Sequence, residues 1–138
     1  MPSDNEVLLA AQRVRNAVEN IDRGYWERLG IDRFPRGACG HCSELLGCYL
    51  HEVYAVEAEY VACDLYTDDD KWMSSHAWVE WNGLIIDISG DQFGWPPVIV
   101  SRTSPFHVGA RPNTRHGHFM SESSSELWSA VTEYLKEA

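Results

Sequence analysis

Apolar residues recur at helical spacing between Asp4 and about Ile21, where Val7, Leu8, Ala11, Val14, Val18 and Ile21 fall on one face. Ser3 or Asp4 stands at the capping position and Gly24 just past the end. The period is lost from Tyr25 to Pro35, which reads as an aromatic connector broken by Gly30 and Pro35. It returns from Ser43 to about Val53, with Leu45, Leu46, Tyr49 and Leu50 as the stripe. Tyr54 to Tyr66, rich in Val, Tyr and alternating Glu, predicts one long or bent strand, and Thr67 to Met73 an acidic loop.

The stretch Ser75 to Ser89 carries the most specific local signal. Asn82-Gly83 between β-rich runs predicts a two-residue hairpin loop with positive φ at both positions. That loop sets Trp81 opposite Leu84, Val79 opposite Ile86, Trp78 opposite Asp87 and His76 opposite Ser89. Alternation then places Ala77, Val79, Trp81, Leu84, Ile86 and Ile88 on one apolar face, which must be core. His76, Trp78, Glu80, Ile85, Asp87 and Ser89 share the other face. There His76 and Asp87 are diagonal neighbours, about 7–8 Å apart at the backbone, within reach of an imidazole and a carboxylate. The same face also has the pattern of a solvated polar surface.

Beyond the hairpin, residues 90–97 turn through Gly90, Gly94 and Pro96-Pro97, and Val98 to Val100 suits a short strand. Ser101 to His118 reads as irregular, broken by Pro105, Gly109, Pro112 and Gly117. Ser123 and Glu126 have the spacing of a capping box for a last helix over 124–136, with Leu127, Val131 and Leu135 inward. Helices first, strands next and a helix to close is the order of an α+β fold. Residues 1–138 are expected to form one domain, with N-terminal helices packed on an antiparallel sheet.

Composition narrows the partners. Hydrophobic content of 44% suits a globular chain, and a net charge of −10 argues against nucleic acid or an anionic membrane. No apolar run has membrane-spanning length, and the N-terminus lacks the basic and apolar regions of a secretory signal. A cytoplasmic location follows as the default, and the four cysteines are then expected to be free thiols.

One of these thiols is placed for chemistry. Cys39 lies between Ala38 and Gly40 just before a helix, whose unpaired N–H groups and positive dipole end favour a thiolate. Gly37 and Gly40 permit close approach of a substrate backbone, and the Cys39 N–H is a candidate oxyanion donor. A nucleophile of this kind needs a base, and His76 oriented by Asp87 supplies one. A cysteine opening a helix, His76-Ala77-Trp78 on a strand and Ile86-Asp87 on the next resembles the transglutaminase-like branch of the papain-like cysteine enzymes, over roughly residues 34–93. The resemblance implies a papain-like fold, Cys39 as nucleophile, His76 as base, Asp87 as its orienter, and acyl transfer from a peptide or small amide or ester. Neither a metal nor an organic cofactor is expected.

The resemblance leaves some roles open. No Gln stands among the residues just before Cys39, from Asp32 to Arg36, to complete an oxyanion hole; Gln92 is the candidate amide, against its reading as a turn residue. Asp91 replaces Asp87 as orienter if the register slips. Trp78 either walls a substrate cleft or packs under the Cys39 helix. Cys39-Gly40-His41-Cys42 also matches the CxxC of thiol-disulfide oxidoreductases, although no strand precedes it and Cys42 falls on the helix's apolar stripe. Cys39, Cys42, Cys48 and His51 have ligand types suited to structural zinc, but on one helix they point in several directions. Cys63, His41, His51 and His107 read as structural or surface residues, and His116 and His118 as solvated. A non-catalytic binding module on the same fold is the remaining alternative.

Overall fold

The computed structural model describes residues 1–107 and 110–137. Helices α1 (Asp4–Asn20), α2 (Arg23–Arg28), α3 (Cys39–Tyr54) and α4 (Ser125–Glu137) accompany strands β1 (Glu59–Tyr66), β2 (Trp72–Trp81), β3 (Leu84–Asp87), β4 (Ile99–Ser101) and β5 (Arg111–Gly117). The strands form one antiparallel sheet in the order β4-β3-β2-β1-β5, and the chain is α+β. Among the described residues no helix is long and apolar enough to cross a membrane.

α1 begins at a complete capping box: the Ser3 hydroxyl accepts from the Glu6 N–H at 3.1 Å while Glu6 accepts from the Ser3 N–H at 3.0 Å. Its inward residues Val7, Ala11, Val14 and Val18 pack with Leu45, Leu46 and Leu50 of α3, Leu127 and Val131 of α4, and Val79, Leu84, Ile86 and Ile88 of the hairpin. Each such fully buried Val, Leu or Ile contributes about 1.5–3 kcal/mol of hydrophobic stabilisation. The hairpin keeps its expected register, Trp81 opposite Leu84 and Val79 opposite Ile86, with φ of 49° at Asn82 and 77° at Gly83.

The second face of the hairpin is not solvated. Trp78 joins Val61, Cys63 and Leu65 in a separate apolar cluster, with Ile85, Phe93, Trp95 and Ala110 packed against it. The segment after the hairpin folds back over this face, so His76 and Asp87 are each only 1% exposed. Alternation reads as amphipathic when one face is covered by irregular chain, because irregular chain leaves no period of its own.

Several elements depart from the pattern. α2, a single short helix whose Asp22 cap accepts from the Gly24 N–H at 2.7 Å, lies within the expected connector. α3 starts at Cys39 rather than Ser43 and runs through Tyr54, so the expected long strand is confined to Glu59–Tyr66. β2 reaches back to Trp72, into the expected acidic loop. β5 occupies a stretch read as irregular; its side chains are nearly all exposed and polar, so no apolar alternation marks it, and Pro112 sits at a register shift. Gly109, expected to break that segment, lies outside the described residues. The expected Ser123–Glu126 capping box does not form: a turn of 3₁₀ helix over Glu122–Ser124 precedes α4, and Glu126 instead faces Arg28.

Candidate active site

Cys39 is the first residue of α3, so its backbone N–H has no intrahelical carbonyl to bond. The helix packs mainly across β2 and α1. β3 pairs with β2 only from Val79 to Trp81, which leaves the earlier part of β2 without a strand neighbour on that side among the described residues. At this open edge the Ala77 N–H, the His76 ring and the Gln92 amide all act on the Cys39 sulfur. Burial pushes the thiol up, but hydrogen bonding and charge from His76, with the Ala77 and Gln92 donors, more than offset it and hold Cys39 below its ordinary value. Cys39 is half-buried rather than sealed.

The His76 tautomer follows from its partners. Nε2 lies 2.7 Å from Asp87 Oδ2, and a carboxylate at this position only accepts, so Nε2 carries a proton. Nδ1 is left facing Gln92 Nε2 at 3.2 Å and the thiol. Burial lowers the His76 pKa, but the Asp87 hydrogen bond and charge, with the Cys39 sulfur, raise it to about 9. Asp87 is pushed up by burial and pulled down further by its donors, His107, His76 and the Ser89 N–H, to about 2. A lowered thiol beside a raised imidazole shifts the pair toward thiolate and imidazolium, a state in which Nδ1 carries a proton and the Gln92 N–H, which donates to the neutral ring, serves the sulfur instead.

The Gln92 amide is oriented by its second bond. Its Nε2 donates to the Ser89 carbonyl at 3.1 Å, which fixes nitrogen rather than oxygen at that end. The turn bearing it, the 3₁₀ helix Gly90–Phe93, is anchored from α1: Arg15 donates to both Asp91 carboxylate oxygens at 2.7 Å and to the Ile88 carbonyl at 2.8 Å. Asp91 is therefore the partner of Arg15 and not the orienter of His76. Gly90 leaves little room for a side chain, since a Cβ there would meet the Pro96 carbonyl at 3.0 Å and force the backbone to give.

Aromatic rings enclose the imidazole. Phe93 and Trp95 meet His76 edge-on with centroids 4.9 and 5.6 Å away, and Trp78 lies at 5.8 Å. Trp78 is 2% exposed, so it neither walls an open cleft nor lies under α3; it packs in the opposite cluster, 4.8 Å from His107.

His107 is a site neighbour that the sequence pattern did not reveal. Its Nε2 lies 2.9 Å from the same Asp87 oxygen, and its Nδ1 2.7 Å from the Ser104 hydroxyl. Asp87 thus accepts from two imidazoles and, through Oδ1, from the Ser89 N–H at 2.9 Å. His107 follows Asp87 by 20 positions of mostly irregular chain, and no local period connects such positions. Tyr60 is another neighbour: its hydroxyl stands 3.3 Å from where a Cβ on Gly40 would lie, at the head of α3.

The other cysteines are separate in character. Cys42 is fully buried, and burial drives its thiol well above the ordinary range. Cys63 is likewise raised by burial, to about 11, and Cys48 is raised by burial and by Glu44 and Glu52. The zinc set of Cys39, Cys42, Cys48 and His51 is not brought together. His51 and His118 instead flank Glu57, each 3.2 Å from one of its oxygens at the surface. His41 bonds the Ser124 hydroxyl at 2.6 Å, and His116 stacks on Tyr60. His51–Glu57–His118 and His76–Asp87–His107 are groups with donor types suited to a metal.

Comparison of the chain with models of protein families, with curated proteins and with solved structures returned no significant match.

Proposed function

We propose that the chain is a thiol-dependent acyl-transfer enzyme with a papain-like, transglutaminase-like arrangement of Cys39, His76 and Asp87. The observation that carries this reading is the His76–Asp87 hydrogen bond of 2.7 Å, wholly enclosed, on an imidazole that interacts with the Cys39 thiol at a helix N-terminus.

In the proposed reaction the Cys39 thiolate adds to the carbonyl carbon of an amide or ester. The developing oxyanion is met by the Gln92 amide and the Cys39 N–H. His76, protonated at Nδ1, gives that proton to the leaving nitrogen or oxygen as the C–N or C–O bond breaks, leaving a thioester. Water, losing a proton to His76, attacks the thioester carbon and releases acid and thiolate; an amine acceptor in place of water gives transfer. Asp87 remains ionised throughout and steadies the imidazolium.

The dithiol alternative is disfavoured by Cys42, whose thiol is sealed and raised. A binding module remains distinguishable by reactivity. Iodoacetamide labelling at neutral pH, read by peptide mass spectrometry, should be fast at Cys39, absent at position 39 in Cys39→Ala, and about a hundredfold slower at Cys39 in His76→Ala. Undiminished labelling in His76→Ala would remove the claim, and a Cys39 rate equal to that of an ordinary solvent-exposed thiol would leave the binding module.

A further inference from the structure

A cleft of about 570 Å³ adjoins the site and shares Gln92 with it. This is within the size range of small-molecule sites, roughly 300–1,000 Å³. Its other wall is the turn Arg33–Arg36, which leads directly into Cys39. That wall is fixed. The Arg36 N–H donates to the Arg33 carbonyl at 2.9 Å and the Ala38 N–H to the Pro35 carbonyl at 3.1 Å. Phe34 packs on the buried Trp26 ring with centroids 4.9 Å apart, and the Arg15 guanidinium lies 5.0 Å above it.

The charge of this cleft is opposite to that of the molecule. Arg33 and Arg36 are both exposed, and among the described residues neither makes an ion pair. Yet the chain carries 21 acidic residues against 11 basic ones. The one acidic lining residue, Asp91, has both oxygens occupied by Arg15. Free arginines beside an electrophile-binding amide, on a surface otherwise acidic, form a local positive field that concentrates anions. Their planar donors match a carboxylate in a paired geometry.

We propose that the acyl donor bears a carboxylate, held by Arg33 and Arg36 in the cleft beside Gln92 while its carbonyl meets Cys39. This assignment rests on the thiol chemistry proposed above. It names the substrate class as acidic: a peptide with an acidic side chain next to the scissile bond, or the half-ester or half-amide of a dicarboxylic acid. Neutral analogues of the same size lose the arginine contacts.

The test compares iodoacetate with iodoacetamide, reagents of similar size that differ in charge. In both, the thiolate forms a C–S bond and iodide leaves. Rates at Cys39 are measured by peptide mass spectrometry at pH 7 and low salt, with a small free thiol as reference. The iodoacetate-to-iodoacetamide ratio is expected to be about tenfold above the reference, roughly threefold for each arginine. It should fall to the reference value in Arg33→Gln/Arg36→Gln and below it in Arg33→Glu/Arg36→Glu. Added salt to about 0.5 M should erode it. A wild-type ratio equal to the reference, or one unmoved by the charge reversal, overturns the substrate assignment while leaving the thiol chemistry intact. Failure of both reagents to label Cys39 removes the thiol chemistry, and the assignment with it.

Discussion

Replacing Asp87 by asparagine keeps the shape of the side chain and removes its charge. The Oδ1 position can still accept from the Ser89 N–H. The other position becomes an NH₂, facing the His76 and His107 nitrogens that now donate to Oδ2 at 2.7 and 2.9 Å. Two donors cannot face a donor, so His76 must shift its proton to Nδ1, the nitrogen that should take the thiol's proton. The electrostatic loss is larger still. Raising His76 from 6.5 to about 9 corresponds to roughly 3 kcal/mol favouring the imidazolium, and Asp87 leads the contributions that oppose burial. Without it, burial holds His76 neutral at pH 7, and Cys39 loses its cationic neighbour. The rate of iodoacetamide alkylation at pH 6–7 should fall about a hundredfold and recover only as pH rises through the ordinary thiol range. Stability supplies a control with a definite sign. Asp87 is depressed from 3.8 to about 2, so its contribution is present above about pH 4 and is lost as pH falls through 2. The Asp87→Asn change should therefore cost roughly 2 kcal/mol at neutral pH, a gap that closes in acid. The assay is alkylation rate against pH for both proteins, with urea unfolding alongside. Superimposable rate profiles would refute the reasoning, because they would show that Asp87 does not set the state of His76.

Two further substitutions test the frame. Cys42→Ser should leave Cys39 alkylation within about twofold and cost about 1–2 kcal/mol from a buried hydroxyl, measured by urea unfolding; loss of Cys39 reactivity in this variant would restore the dithiol reading. Arg15→Ala strips Asp91 and the Ile88 carbonyl of their donor and should destabilise by about 2–3 kcal/mol, below the full cost of a buried pair because Asp91 keeps some contact with water. A change under about 1 kcal/mol would show that the Gly90–Phe93 turn holds itself.

The hairpin was legible because each of its signals is local. Asn82-Gly83 demands positive φ, and a period of two then sorts His76 and Asp87 onto one face. Cys39 was legible because glycines and an apolar stripe mark the start of a helix. The cover over His76 was not, since Phe93, Trp95 and His107 come from irregular chain whose positions are set by closure onto the sheet. β5 escaped for the complementary reason: as an outer strand with solvent on its side chains it needs backbone bonds to β1 and no apolar residues. The sequence pattern shortens α3 because Cys39 to Cys42 resemble a loop in composition, and the rim of the helix is set by packing on β2 rather than by propensity.

β5 has a consequence for how these molecules meet one another. It is the last strand on its side of the sheet, and a bare row of peptide groups there would invite a neighbour to continue the ladder. Pro112 has no N–H to offer, the register shift beside it bends the ribbon, and Arg111 and Arg115 around the break are already held by Asp70 and by Glu80. Another copy aligning edge to edge would meet a kink and would have to disturb these ion pairs, so crowded chains should stay apart along this border even when concentrated.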